Sequence, residues 1–173
     1  MYRCGLPEAV TTAPPDGAAI RTAERADLLS IHRIEQSVFP QPWPFSALEN
    51  YLGERGFLVA ETQTEEGPQV VGYDIADTVP NHGTPRGHVT DLAVRPERRR
   101  EGIGTALLER AIDIVAATGA GSVKLEVRAE NHRARRLYRG FDFEHRKTIP
   151  NYYSNGEDAL VMVRSLDPES DRL

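Results

Sequence analysis

Two stretches of the 173-residue chain bring together residue types that could carry chemistry. In the first, Arg95-Pro96-Glu97-Arg98-Arg99-Arg100-Glu101-Gly102-Ile103-Gly104 leads into an apolar run of helical period. Glycines at a helix start leave backbone N–H groups bare, the helix dipole adds partial positive charge, and neighbouring arginines can neutralise a polyphosphate. That reading competes with a solvated arginine run before an ordinary helix. The Gly-Lys-Ser/Thr of a nucleotide P-loop is missing, as is the three-glycine turn of a dinucleotide fold. In the second stretch, Val123, Leu125 and Val127 alternate with Lys124, Glu126 and Arg128, the period of a strand with one apolar and one charged face. In a central strand Glu126 would look into a polar cleft, where partial desolvation would raise its pKa and suit it to general-base work. In an edge strand the same charges would simply be solvated.

His88, Asn131 and Tyr138 extend the list. On simple alternation His88 shares a strand face with Thr90, Leu92 and Val94, either as a hydrogen-bonded structural histidine or as a partner of the acid–base group. Asn131 suits a helix N-cap, and Tyr138, seven residues on, falls on the same helix face. A tyrosine there is either core filling or a proton donor, since a pKa near ~10 keeps it protonated at neutral pH. No His, Cys, Asp or Glu spacing suggests a metal site, and the single cysteine, Cys4, excludes an internal disulfide.

The elements that must hold these residues can be read along the chain. Residues 1–17, rich in Pro, Thr, Ala and Gly, are expected to form a flexible tail, with a second at 167–173 and one domain between them, 18–166. Leu28, Ile31, Ile34 and Val38 mark one amphipathic helix. It runs into Phe39-Pro40-Gln41-Pro42-Trp43-Pro44, whose prolines forbid regular helix, and a new helix is expected at the capping-box pattern Ser46-Ala47-Leu48-Glu49. A hairpin over 57–61 and 70–77, a strand over 88–94, a long helix over 103–117, a strand over 122–128, a short helix over 131–139 and two closing strands (143–149, 159–164) follow. One α/β domain is predicted, a mixed sheet with helices on both faces.

Composition bounds the function. Hydrophobic residues at 39%, with 27% charged, match an ordinary globular domain. No segment reaches the ~18 apolar residues of a membrane helix, and the start lacks the apolar core of a secretory signal, so a cytoplasmic location and no membrane partner are expected. A net charge of −5 argues against a specific nucleic-acid partner despite the arginine runs. The oligomeric state is not legible.

In order along the chain, Gly87-His88-Val89-Thr90-Asp91-Leu92-Ala93-Val94, then Arg99-Arg100-Glu101-Gly102-Ile103-Gly104, then Leu125-Glu126-Val127-Arg128 with Asn131, Ala134, Leu137 and Tyr138, and finally residues 151–159 with Tyr152 and Tyr153, resemble the GNAT superfamily of acetyltransferases. The similarity spans about residues 20–166 and is nearest to the RimI-like protein N-terminal acetyltransferases. It implies a largely antiparallel sheet with a central splayed parallel pair, and acetyl-CoA as cosubstrate. Leu92, Ala93, Val94, Arg99, Arg100, Glu101, Gly102, Ile103, Gly104, Thr105, Asn131 and Tyr138 would hold it. The 39–44 loop, with Phe39, Pro40 and Trp43, and Tyr152 and Tyr153 opposite, resembles the peptide wall of such enzymes, with Glu35 either orienting an incoming N-terminus or solvated at the surface.

The resemblance further implies direct transfer of acetyl to an α-amino group, the substrates being protein N-termini, among them a ribosomal protein or nascent chains. Glu126, through a water shared with His88, would be the base, the Val94 N–H would meet the oxyanion, and Tyr138 would protonate the leaving thiolate. A small amine or lysine acetyltransferase, and a non-catalytic acyl-CoA-binding module, are the alternatives. Asp142 stands where the family has glycine, and the turn is expected to survive because aspartate tolerates left-handed backbone.

Overall fold

The computed structural model describes residues 17–167, so the two expected tails lie almost wholly outside the described residues, as does Cys4. The chain runs β1 (Ala19–Thr22), a 3-10 turn (Arg25–Asp27), α1 (Leu28–Val38), α2 (Phe45–Glu49), β2 (Gly56–Thr64), β3 (Gly67–Val79), β4 (Arg86–Val94), a 3-10 turn (Pro96–Arg98), α3 (Ile103–Ala116), β5 (Ser122–Arg128), α4 (His132–Gly140), β6 (Glu144–Ile149) and β7 (Ala159–Ser165). The strands form one sheet in the order β1-β2-β3-β4-β5-β7-β6. Every neighbouring pair is antiparallel except β4 and β5, whose parallel pairing needs the α3 crossover between them.

Each face is covered by the helices whose apolar stripes the sequence displays. Leu107, Leu108, Ala111 and Val115 of α3 bury against Val89, Val123 and Leu125. Leu28, Ile31 and Ile34 of α1, with Leu48 of α2, bury against Phe57, Tyr73, Ile75 and Ala93 on the other face. Full burial of such side chains stabilises by roughly 1.5–3 kcal/mol each. Gly87 lets α3 lie close: a Cβ there would stand 2.1 Å from Val115 Cγ1.

Two local expectations need correction. Ser46 does not cap α2, because Pro44 is the extended N-cap residue (φ −66°, ψ 151°) and Phe45 is already helical; proline's fixed φ sets the helix start one residue before the polar pattern. The simple alternation along β4 also fails. Opposite β3 its pairing moves from Ile75↔Asp91 to Ala76↔Val89, leaving Thr90 as the extra residue of a β-bulge. Val89 and, past the bulge, Leu92 and Val94 therefore all pack on the α3 side. His88, next to Val89, points to the opposite face from Leu92 and Val94.

Candidate active site

The parallel ladder between β4 and β5 runs only from Arg86↔Ser122 to Val89↔Leu125, although β4 continues to Val94 and β5 to Arg128. The strands splay beyond that point, and two clefts open into the gap. One, of about 370 Å³, lies on the α1 side between the 39–44 loop and Tyr152-Tyr153, with Glu126 and Asp91 in its wall. The other, of about 380 Å³, lies between Val94, the start of α3 and the start of α4. Phe39, Leu92, Arg128, Asn131, Ala134 and Tyr138 line both. The clefts thus meet at Tyr138.

The second cleft fits a polyphosphate. Arg100 (φ 66°) and Gly102 (φ 78°) both take left-handed backbone, which turns the chain so that α3 starts at the cleft with Ile103, Gly104 and Thr105. The first-turn N–H groups of a helix have no intrahelical acceptors. Arg98, Arg99, Arg100 and Arg133 ring this start. Loss of water and the repulsion of Arg99 and Arg100 lower the Arg133 guanidinium pKa, the signature of clustered cations suited to an anion. Of the residues expected to hold the cosubstrate, Leu92, Ala93, Val94, Arg99, Arg100, Gly102, Ile103, Gly104, Thr105, Asn131 and Tyr138 line this cleft, and Glu101 does not. Its carboxylate accepts from Arg98 Nε at 2.7 Å instead. Arg133 was missed in the sequence; its place two residues after the N-cap of α4 was the available signal.

In the first cleft the structure brings together Glu35, Phe39, Trp43, Tyr152 and Tyr153, whereas Pro40 lines the second cleft, just past the rim residue Phe39 that serves both. Glu35 is 1% exposed, which overturns the solvated alternative. It accepts the Trp43 backbone N–H at 2.8 Å and a short hydrogen bond from the Tyr73 hydroxyl, so it ties the aromatic loop to the sheet. The opposite wall is held by Arg128, which pairs with Glu157 at 2.9 Å and stacks 3.8 Å from the Tyr153 ring centroid. Burial pushes the Tyr153 hydroxyl up to about 12 against the lowering charge of Arg128.

Glu126 sits in a central strand, between β4 and β7, and its carboxylate lines the first cleft. Its Oε2 lies 2.6 Å from His88 Nε2 and its Oε1 2.8 Å from Lys124 Nζ. Burial pushes its pKa up, but the hydrogen bonds and charges of His88 and Lys124 outweigh that and bring it to about 2. The expected rise is therefore reversed: desolvation is real, but the Lys124 ammonium and the His88 ring hydrogen bond arrive with it. His88 hydrogen-bonds Glu126 directly and lines neither cleft. Tyr138 is buried, and burial, with the nearby Asp74 and Asp91, raises its hydroxyl pKa and keeps it protonated.

Asp142 takes the left-handed conformation (φ 62°), with Phe143 N–H bonded to Tyr138 C=O and Asp142 N–H to Arg139 C=O, both at 3.1 Å. That pattern, with Phe143 packed on Tyr138 at 5.9 Å between ring centroids, is a Schellman C-cap. The turn that fixes Tyr138 survives the departure from glycine.

The acetyltransferase (GNAT) family model matches residues 28–143, the span that holds the splayed parallel pair, the glycine-arginine helix start and the tyrosine between them. The chain belongs to the GNAT family. As a GNAT enzyme it is an acetyl-CoA-dependent N-acetyltransferase. It is similar to the N-alpha-acetyltransferase of Sulfolobus acidocaldarius, 34% identical over 155 residues covering 85% of this chain and 92% of that one. It is also similar to the [ribosomal protein bS18]-alanine N-acetyltransferase of Escherichia coli (strain K12), at 32% identity over 83% of this chain and 95% of that one. The crystal structure of the ribosomal-protein-S18-alanine N-acetyltransferase from Escherichia coli superposes with a TM-score of 0.74 at 30% identity, covering 90% of this chain and 98% of that one. A chain in the crystal structure of the NatC complex bound to Gag peptide and CoA shares the fold, with a TM-score of 0.82 at 23% identity, over 87% of this chain and 99% of that one. Among the described residues no helix is long and apolar enough to cross a membrane.

Proposed function

We propose that this GNAT enzyme transfers acetyl from acetyl-CoA to the N-terminal α-amino group of proteins, by direct attack within one ternary complex. The observation that carries the reading is that two clefts of different character, one cationic and one walled by aromatic residues, meet at Tyr138 beside Glu126. The cationic cleft takes the pyrophosphate of acetyl-CoA on the α3 start and the arginines around it. Its pantetheine arm runs past Leu92, Ala93 and Val94 into the splay, where a β4 backbone N–H such as that of Val94 meets the developing oxyanion. A peptide N-terminus enters between the Phe39–Trp43 loop and Tyr152-Tyr153, a slot shaped for a chain end rather than for an internal lysine.

Glu126, ionised at neutral pH, draws and holds the α-ammonium, with His88 and Lys124 fixing the carboxylate from behind. A free α-amino group has a pKa near ~8, so most of it must lose a proton before it can attack. Tyr138 protonates the departing thiolate. Residues 18–166 act as one catalytic domain, working in the cytoplasm where acetyl-CoA and new chains are both present. The similarity to bS18-alanine acetyltransferases makes the alanine N-terminus of a ribosomal protein a first candidate substrate.

The test mixes the purified protein with acetyl-CoA and peptides bearing free Ala, Ser, Met-Glu or Met-Leu N-termini, with N-blocked lysine peptides as controls, and follows CoA-thiol release. Turnover restricted to free N-termini is expected. Turnover restricted to blocked lysine peptides, or none despite CoA binding, would hand the site to a lysine acetyltransferase or to a non-catalytic acyl-CoA module.

A further inference from the structure

Glu126 anchors an ammonium well and removes its proton poorly, because a useful base has a pKa near the working pH and this carboxylate lies at about 2. A second carboxyl group lines the same cleft. Asp91 stands next to the bulged Thr90, where β4 leaves β5. Its Oδ1 accepts the Leu92 N–H at 3.0 Å and its Oδ2 lies 2.8 Å from the Tyr73 hydroxyl, which also makes the short bond to Glu35. Tyr73 has one hydrogen to give and two carboxyl groups to satisfy. Both contacts are hydrogen bonds only when the cluster holds one further proton on a carboxyl group. Glu35 is 1% exposed and also accepts the Trp43 N–H. Both carboxyl groups line the peptide cleft, and Asp91, half-buried, is the more accessible of the two.

We propose that Asp91 is the general base of the reaction, taking the proton of the substrate α-ammonium into the shared seat it forms with Tyr73 and Glu35. This rests on the N-terminal acetyltransferase reading of the cleft and deepens it. Of the three ammonium protons, one passes to Asp91 and from there to water. One remains on the amide nitrogen, and one balances the proton that the CoA thiolate takes from Tyr138. The C–N bond forms as the C–S bond breaks, and no oxidant or metal is required.

The surroundings tune Asp91 toward that role. Burial pushes its pKa well up, and so does Glu35 from α1. The other titratable groups that interact with it are Tyr51 after α2, Tyr73 and Asp74 of β3, and Tyr138 of α4; Glu126 of β5 shares its cleft. Among the described residues, the one cation in that cleft's lining, Arg128 of β5, is engaged by Glu157 at 2.9 Å and by the Tyr153 ring rather than by Asp91. Ionised Asp91 therefore has the greater affinity for an arriving proton, whereas Glu126, held by His88 and Lys124, has little; the acid limb marks the pH at which the Asp91 seat is already filled.

The experiment measures kcat/KM on a free-N-terminus peptide from pH 5 to 9 for wild type, Asp91→Asn, Tyr73→Phe and Glu126→Gln, with acetyl-CoA binding by calorimetry as the check on folding. Asp91→Asn is expected to bind acetyl-CoA as wild type does, lose on the order of 100-fold or more in kcat, and lose the acid limb of the profile. Tyr73→Phe should displace that limb, and Glu126→Gln should keep it while raising the peptide KM. If Asp91→Asn does not bind acetyl-CoA, Tyr73→Phe decides: a displaced limb supports Asp91, an unmoved one overturns it. Wild-type turnover with an unaffected Asp91→Asn profile removes Asp91 from the chemistry and leaves the parent reading intact. Absence of wild-type turnover on every free N-terminus overturns both.

Discussion

Replacing Glu126 with glutamine removes one negative charge from a group that pairs with the Lys124 ammonium and hydrogen-bonds the His88 ring, and keeps the shape. The carboxyl pKa falls from its ordinary 4.5 to about 2 in the folded chain, which at ~1.36 kcal/mol per unit corresponds to about 3 kcal/mol of pairing in the ionised state. Lys124 is 30% exposed on its side chain, so solvent screening trims the figure to about 2 kcal/mol. Because the folded pKa lies below that of the unfolded chain, this stabilisation is fully present above about pH 4.5 and is lost as the pH falls toward 2.

Urea melts of wild type and Glu126→Gln, taken in parallel from pH 7 to pH 2, isolate the term as a difference, since the other carboxylates titrate alike in both. The variant should be less stable by about 2 kcal/mol at pH 7, with the gap closing below pH 4.5. Equal stability at pH 7, or a gap that does not change with pH, would refute the claim that His88 and Lys124 hold this carboxylate ionised.

Three further outcomes follow from geometry. Arg133→Ala should weaken acetyl-CoA binding by about 10- to 100-fold, the loss of one charge-assisted contact of ~1.5–3 kcal/mol, with an effect that shrinks in high salt; calorimetry at two ionic strengths checks it. Tyr138→Phe should slow kcat with acetyl-CoA affinity and thermal stability nearly unchanged, because the ring contact with Phe143 is kept; steady-state kinetics and a melt decide. Gly87→Ala should destabilise by roughly 1–3 kcal/mol through overpacking, since its Cβ would meet Val115 Cγ1 at 2.1 Å, and denaturant unfolding measures it.

What the sequence reveals and what it hides divide along physical lines. The strand 122–128 and the stripe of α3 are visible because burial imposes period 2 and period 3.6 on adjacent residues. Most of the cradle is visible because Arg98 to Gly104 are contiguous, whereas Arg133, brought in from α4, is not. The bulge at Thr90 is not, because one extra residue in a ladder leaves no mark in composition, yet it reverses which side chains of β4 face which cleft. Glu126 shows the same limit. Its burial follows from its strand, but the sign of its pKa shift depends on His88, 38 residues away, as well as on Lys124. The joining of Glu35, Tyr73 and Asp91 crosses three elements, and no local pattern announces it. Pro44 starts α2 where the polar pattern pointed to Ser46, because ring geometry overrides a capping preference.

The early end of the β4–β5 ladder has a kinetic meaning. A sheet that stayed paired would force cosubstrate and peptide to share one face, one waiting behind the other. Here the strands part after Val89 and Leu125, and on the proposed assignment of the two clefts each ligand has its own doorway, meeting only at the wall around Tyr138. Neither product then stands in the other's exit. CoA should compete with acetyl-CoA, and acetylated peptide with peptide, while each leaves the binding of the opposite partner open, so turnover need not follow a compulsory order of release.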